Sequence, residues 1–125
     1  MGNLFHFLPR CINKGCSRPV ANSGQRIRPV CWKCHKAGYS GSGYEQGVEP
    51  FRKGVCSNRD SHLGFACYID WNRVMRDGFR VKTHIDHKDG NHYNNVPANC
   101  EELCETCHSE KGRRWGDYKG YRYAA

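Results

Sequence analysis

The chain has 125 residues, a formal net charge of +8 and nine cysteines, yet Leu, Ile, Val and Phe together make up only 16% of it. An apolar share that low beside a charge that high does not ordinarily offset the ordering entropy of folding, so metal or disulfides are expected to supply the missing support. No stretch approaches the roughly 18 consecutive apolar residues of a membrane-spanning helix, which excludes that class.

Taken in order, the opening Met1 to Pro9 is too short and too poor in leading basic residues for a secretory signal. A cytoplasmic, reducing setting is therefore expected, where thiols bind metal more often than they pair. Residues 1–37 read as a basic, cysteine-rich module: the first 44 residues hold seven Lys or Arg and not one Asp or Glu. Residues 38–50, with Gly38, Gly41, Gly43 and Gly47 beside Ser40 and Ser42, read as a flexible linker. A second unit spans 51–114, and 115–125 form a tail in which Trp115, Tyr118, Tyr121 and Tyr123 alternate with Lys119 and Arg122. Both ends suit a polyanion, since cations neutralise phosphates while aromatics pack on sugars or bases. A solvated basic surface that only aids solubility is the alternative.

Within the second unit, Phe79 to Asp86 alternates strictly, with Phe79, Val81, Thr83 and Ile85 on one side, and this predicts a half-buried strand. It ends at Asp86 and His87, where Lys88-Asp89-Gly90-Asn91 signals a turn. The Glu-rich run from Asn99 to Lys111 predicts a helix, broken at the Cys104 to Cys107 turn and limited by Asn99 and Gly112 as caps.

Cysteine spacing is the firmest signal. Cys31-Trp-Lys-Cys34 and Cys104-Glu-Thr-Cys107 are C-x2-C knuckles, a spacing that turns two thiolates toward one tetrahedral ion. Each has an upstream pair, Cys11 with Cys16 and Cys56 with Cys67. Eight cysteines thus sort into two four-thiolate zinc sites, with disulfides as the rival, and Cys100 is left as a small apolar side chain packed within the helix.

The stretch Asp86-His87-Lys88-Asp89-Gly90-Asn91-His92-Tyr93-Asn94-Asn95-Val96-Pro97-Ala98-Asn99, continued by Leu103-Cys104-Glu105-Thr106-Cys107-His108-Ser109-Glu110-Lys111, resembles the HNH endonuclease motif in its zinc-ribbon form. Cys56 to Cys67 resembles the first half of the zinc site in phage-encoded members, and Cys11 to Cys34 is similar to the zinc modules that precede such domains. The resemblance implies an α+β fold: an N-terminal zinc module followed by a ββα-metal, treble-clef-like domain. It also implies that His87 is the general base that activates water, and that Asn99 orients it. Asp86 and His108 become the ligands of one catalytic divalent cation, Mg²⁺ or Mn²⁺ by donor type, with softer metals tolerated.

Four neighbouring positions depart from the motif or extend it. Cys100 replaces the usual leucine. His84 reads as a surface histidine, with a place behind the metal ligands as its alternative. His92 reads as a solvated loop residue and His35 as structural or DNA-contacting. Arg26, Arg28 and Lys33 in the first module, and Lys111, Arg113 and Arg114 after the motif, are the expected DNA contacts, holding backbone without reading sequence. The expected function is metal-dependent hydrolysis of DNA phosphodiesters. The alternatives are a non-catalytic zinc-dependent DNA-binding protein, or a nuclease for branched DNA or RNA. A monomer and a homodimer remain equally open, because one such site cuts one strand and no dimerisation signal is visible.

Overall fold

The computed structural model describes residues 8–24, 26–40 and 43–116, with the side chains of 39 and 40 left out; most of the expected basic tail lies outside the described residues. The fold is a small α+β one, with three α-helices and one two-stranded sheet among the described residues. Two compact units divide it. One is built from the chain up to Phe51 together with His92–Asn99, the other from Arg52–Asn91 together with the chain from Cys100 onward.

The first unit is mostly irregular backbone. Short bridges pair Arg10 with Pro19, Asn22 with Ile27 and Lys14 with Glu49. They fold the chain over buried Ile12, Val20, Ala21 and Ile27 beside a cluster of Cys11, Cys31 and Cys34. Helix α1, Trp32–Ser40, starts inside the first knuckle, where the His35 amide donates to the Cys31 carbonyl at 2.9 Å. Residues 43–49, within the stretch expected as linker, return to this unit: Tyr44 and Val48 pack on the cysteines and Glu49 pairs with Lys14. That return brings Gly15, at φ +85°, against Gly47, where a Cβ would stand 2.1 Å from the Gly47 carbonyl oxygen, so only glycine fits. Residues 92–99 join through Asn95, buried, whose Nδ2 donates to the carbonyls of Arg10 and Pro29 at 2.8 Å each.

In the second unit a 3-10 turn, Ser57–Asp60, precedes helix α2, Trp71–Asp77. Asp70 caps α2 by accepting from the Arg73 amide at 3.1 Å, and Gly78 closes it in the left-handed conformation at φ 73°. Strand β1, Thr83–His87, pairs antiparallel with β2, Cys100–Cys104, in the register Thr83 to Cys104 and His87 to Cys100. Helix α3, Glu105–Trp115, follows without a break and ends at Gly116, φ 72°. Leu103 is fully buried between Cys56, Trp71, Cys104 and Cys107, with Val55, Leu63, Phe65, Ile69, Val74 and Val81 packed around them.

Two expected elements are corrected here. The strand begins at Thr83, not Phe79, and Phe79 is exposed under the Arg73 guanidinium. The helix expected from Asn99 begins only at Glu105. Its first third is β2, all five residues of which are buried, and Gly112 lies inside α3, where its carbonyl accepts from Gly116. The physical reason is that Glu101 and Glu102 read as solvent-facing helix residues but are buried with partners. Glu102 accepts from the amides of Lys53 and Gly54 at 2.6 and 2.7 Å and from the Thr83 hydroxyl. Cys100 is buried as expected, but in a strand; burial pushes its thiol up to about 12.

Candidate metal centres and a histidine–carboxylate site

Two four-cysteine groups, Cys11, Cys16, Cys31 and Cys34, and Cys56, Cys67, Cys104 and Cys107, each gather their sulfurs within 4.8 Å of one another, an arrangement compatible with two structural zinc sites. All nine cysteines are unbridged, against the disulfide alternative. A tetrahedral ion with Zn–S bonds of about 2.3 Å separates its sulfurs by roughly 3.8 Å. Cys16 and Cys31 sulfurs, and Cys67 and Cys104 sulfurs, stand 3.8 Å apart.

Both groups are built the same way, a loop meeting a knuckle that opens a helix. In the first, the Cys34 amide donates to Cys31 Sγ at 3.4 Å. In the second, Trp71 Nε1 donates to Cys67 Sγ at 3.2 Å and Asn58 Nδ2 to Cys107 Sγ at 3.5 Å. Such N–H donors disperse thiolate charge and fix the sulfur lone pairs. Asn58 also ties the loop, donating to the Phe65 carbonyl and accepting from the Leu63 amide. Burial raises the thiols of Cys11, Cys34 and Cys107, and Cys56 to about 11. Cys16 and Cys67, nearer the surface, are lowered by N–H and thiol hydrogen bonds that outweigh their burial.

A second kind of site lies where β1 ends and α3 begins. Asp86, 2% exposed, faces the first turn of α3, and its Oδ1 is 3.1 Å from His108 Nδ1. Asp86 Oδ2 is buried and accepts no aligned hydrogen bond, although the Lys111 ammonium stands 3.0 Å away. The His84 ring stacks on that of His108, centroids 5.1 Å apart and planes 17° apart, with its Nε2 3.9 Å from Glu105 Oε1. Burial, then the nearby His108, Lys82 and Arg52, hold His84 below its ordinary range. Thus His84, expected at the surface, is half-buried against the His108 ring. A carboxylate oxygen and an imidazole nitrogen brought this close are a donor pair that a hard or borderline dication accepts. Among the described residues, the groups of three or more ligating side chains are the two cysteine groups, and Asp86 and His108 could offer a cation two ligands at most.

The remaining expected residues divide. His87 is 5% exposed, and its carbonyl accepts from Gly90 and, at 3.3 Å, from Lys111 Nζ. Asn99 belongs to the other unit, where its Nδ2 donates to the Asn94 carbonyl at 2.8 Å. Lys111, expected on DNA, is corrected: it is 3% exposed and committed to Asp86 and the His87 carbonyl. Its position beside two arginines gives no sign that this side chain turns inward to the end of β1. Arg113 and Arg114 are exposed but both pair with Glu110, and the Arg114 guanidinium covers Phe65 at 4.9 Å. In the first unit Arg26 is exposed, Arg28 lies over Trp32, and Lys33 pairs with Glu45.

His62 is a residue that sequence patterning did not single out. Its Nδ1 meets Asp60 Oδ1 at 2.7 Å and its Nε2 meets Glu101 Oε1 at 2.9 Å, so two carboxylates clamp it between the cysteine loop and β2. Asp60 first, then Glu101, raise it above its ordinary 6.5, and it in turn lowers Asp60. A raised histidine stabilises the fold fully below 6.5 and loses that contribution as pH climbs through the folded value. Thermal midpoints taken on either side of neutrality should therefore fall more in wild type than in His62→Gln as pH rises; equal falls would leave the clamp without energetic weight.

No helix among the described residues is long and apolar enough to cross a membrane. No family model, no curated protein and no solved structure matches this chain.

Proposed function

We propose that the chain is a metal-dependent DNA endonuclease of the HNH type, stabilised by two zinc ions. The observation that carries this reading is the meeting of Asp86 and His108 at 3.1 Å on a hairpin-then-helix frame whose joint is a four-cysteine group. One residue from a strand end and one from a helix start converge there, next to His87. A divalent cation held by Asp86 and His108 would polarise a phosphate oxygen and stabilise the leaving oxygen. His87 accepts the proton of the attacking water, and its backbone is held at the strand end by Lys111 and Gly90. The Lys111 ammonium stands 3.0 Å from Asp86 Oδ2 and fixes the position of that carboxyl group beside His108.

The competing reading, a zinc-dependent DNA-binding protein without catalysis, draws on the burial of His87 and on an ammonium already standing at Asp86. Supercoiled plasmid incubated with Mg²⁺ or Mn²⁺ separates them. Wild type should nick it and His87→Ala should lose roughly 100-fold to 10,000-fold in rate, the usual contribution of a general base. Equal nicking by both removes His87 from the chemistry; no nicking with either metal favours the binding protein.

A further inference from the structure

We infer that the first unit carries a stacking site for an unpaired nucleotide of DNA, centred on Trp32. The inference rests on the proposal that DNA is the partner, and it names which form of DNA this unit would take. Trp32 and Lys33 are the two residues between the knuckle cysteines Cys31 and Cys34, and Trp32 opens α1, so the backbone carrying it is pinned at both sides by prospective zinc ligands. An indole is usually kept from water, yet Trp32 is 53% exposed. Its surroundings explain how the ring is held out. The Arg28 guanidinium lies over it at 5.7 Å from the centroid, and the His35 ring meets it edge-on at 5.8 Å. With these two ring contacts in place, Trp32 still keeps about half of its surface open to solvent.

Chemistry around the ring selects an anionic aromatic ligand. Trp32, His35 and Lys36 share one side of α1 by their three- and four-residue spacing, and Arg28 adds a second cation. The first acidic residue of the chain is Glu45, and it is already engaged by Arg18 and Lys33. A base stacks on an indole whatever its identity, while flanking cations hold the backbone phosphates. Paired bases in a duplex do not offer their faces, so the site discriminates by strandedness and not by sequence.

The test is binding of the zinc-loaded full chain, without Mg²⁺ or Mn²⁺, to a labelled oligothymidylate, which cannot self-pair, and to a labelled duplex of similar length. Because no cleavage is read, the outcome is independent of whether His87 is a catalytic residue. Trp32→Ala should weaken oligothymidylate binding by about 5-fold to 100-fold, the range of one base–aromatic stack, while duplex binding changes less than about twofold. Trp32→Phe, which keeps a ring, should recover a large part of the loss. Lys36→Ala should weaken both ligands together and flatten their salt dependence. Zinc content and the thermal midpoint of Trp32→Ala, expected unchanged because the side chain is exposed, report that the unit is folded. Equal loss on both ligands, no loss on either, or tighter binding of a ribonucleotide counterpart in wild type would each overturn the inference.

Discussion

Stripping zinc with a strong chelator is expected to unfold both units. A structural zinc site contributes on the order of 10–16 kcal/mol of apparent binding free energy, against a total of roughly 5–15 kcal/mol for a whole native domain. In the second unit the cysteines are themselves the core: Cys56, Cys104 and Cys107 surround Leu103, and Trp71 both packs there and donates to Cys67. Without an ion, buried thiols such as Cys56, raised to about 11, keep their protons. Zinc must displace those protons, so apparent zinc affinity rises with pH. Metal analysis should find two zinc ions per chain, falling to one in Cys104→Ser and likewise in Cys31→Ser. Near-ultraviolet circular dichroism that survives chelation unchanged would end the view that metal holds this fold.

Replacing Lys111 by methionine is expected to be nearly as damaging as removing a core residue. Lys111 and Asp86 are both buried, and breaking one partner of such a pair costs about 3–5 kcal/mol because the other charge is stranded. The double variant Lys111→Met with Asp86→Asn should recover most of that loss, since no unpaired charge is left. Mn²⁺ gives a sharper readout. If Asp86 and His108 are cation ligands, added Mn²⁺ should raise the thermal midpoint of Lys111→Met by more than that of wild type, as a ligand that binds only the folded state does. A midpoint for Lys111→Met equal to that of wild type would show that the pair carries no net stability. A response to Mn²⁺ that persists in Asp86→Asn would place the cation elsewhere.

Particular residues show how far the sequence alone reaches. The grouping of eight cysteines was readable because ligand spacing is local chemistry: a knuckle declares itself in four consecutive residues. Asp86 and His108 were singled out by the motif resemblance alone, and spacing gave no sign that two residues 22 positions apart meet at 3.1 Å. Strand β2 was not, because Glu101 and Glu102 look hydrophilic until their partners Thr83, Lys53, Gly54 and His62 are known, and those partners lie far along the chain. The same holds for Asn58 and Trp71, whose N–H groups reach sulfurs that spacing identifies but whose own positions carry no pattern. Lys111 illustrates a third kind of miss. A lysine near two arginines on a helix end suggests an outward charge, and only the depth of Asp86 makes the inward course of its side chain favourable.

The chain passes from one unit to the other at Phe51 to Arg52, at Asn91 to His92 and at Asn99 to Cys100. A protein threaded this way does not divide into interchangeable cassettes. Cutting after residue 51 would deprive Asn95 of both carbonyls it serves, those of Arg10 and Pro29, while leaving its loop attached to the wrong fragment. Gene fusions, truncations and domain-swap libraries built on the apparent boundary between the cysteine groups would therefore inherit a defect at a segment more than forty residues away. The two cysteine modules are separate in chemistry but interleaved along the chain, so neither can be excised at a single cut.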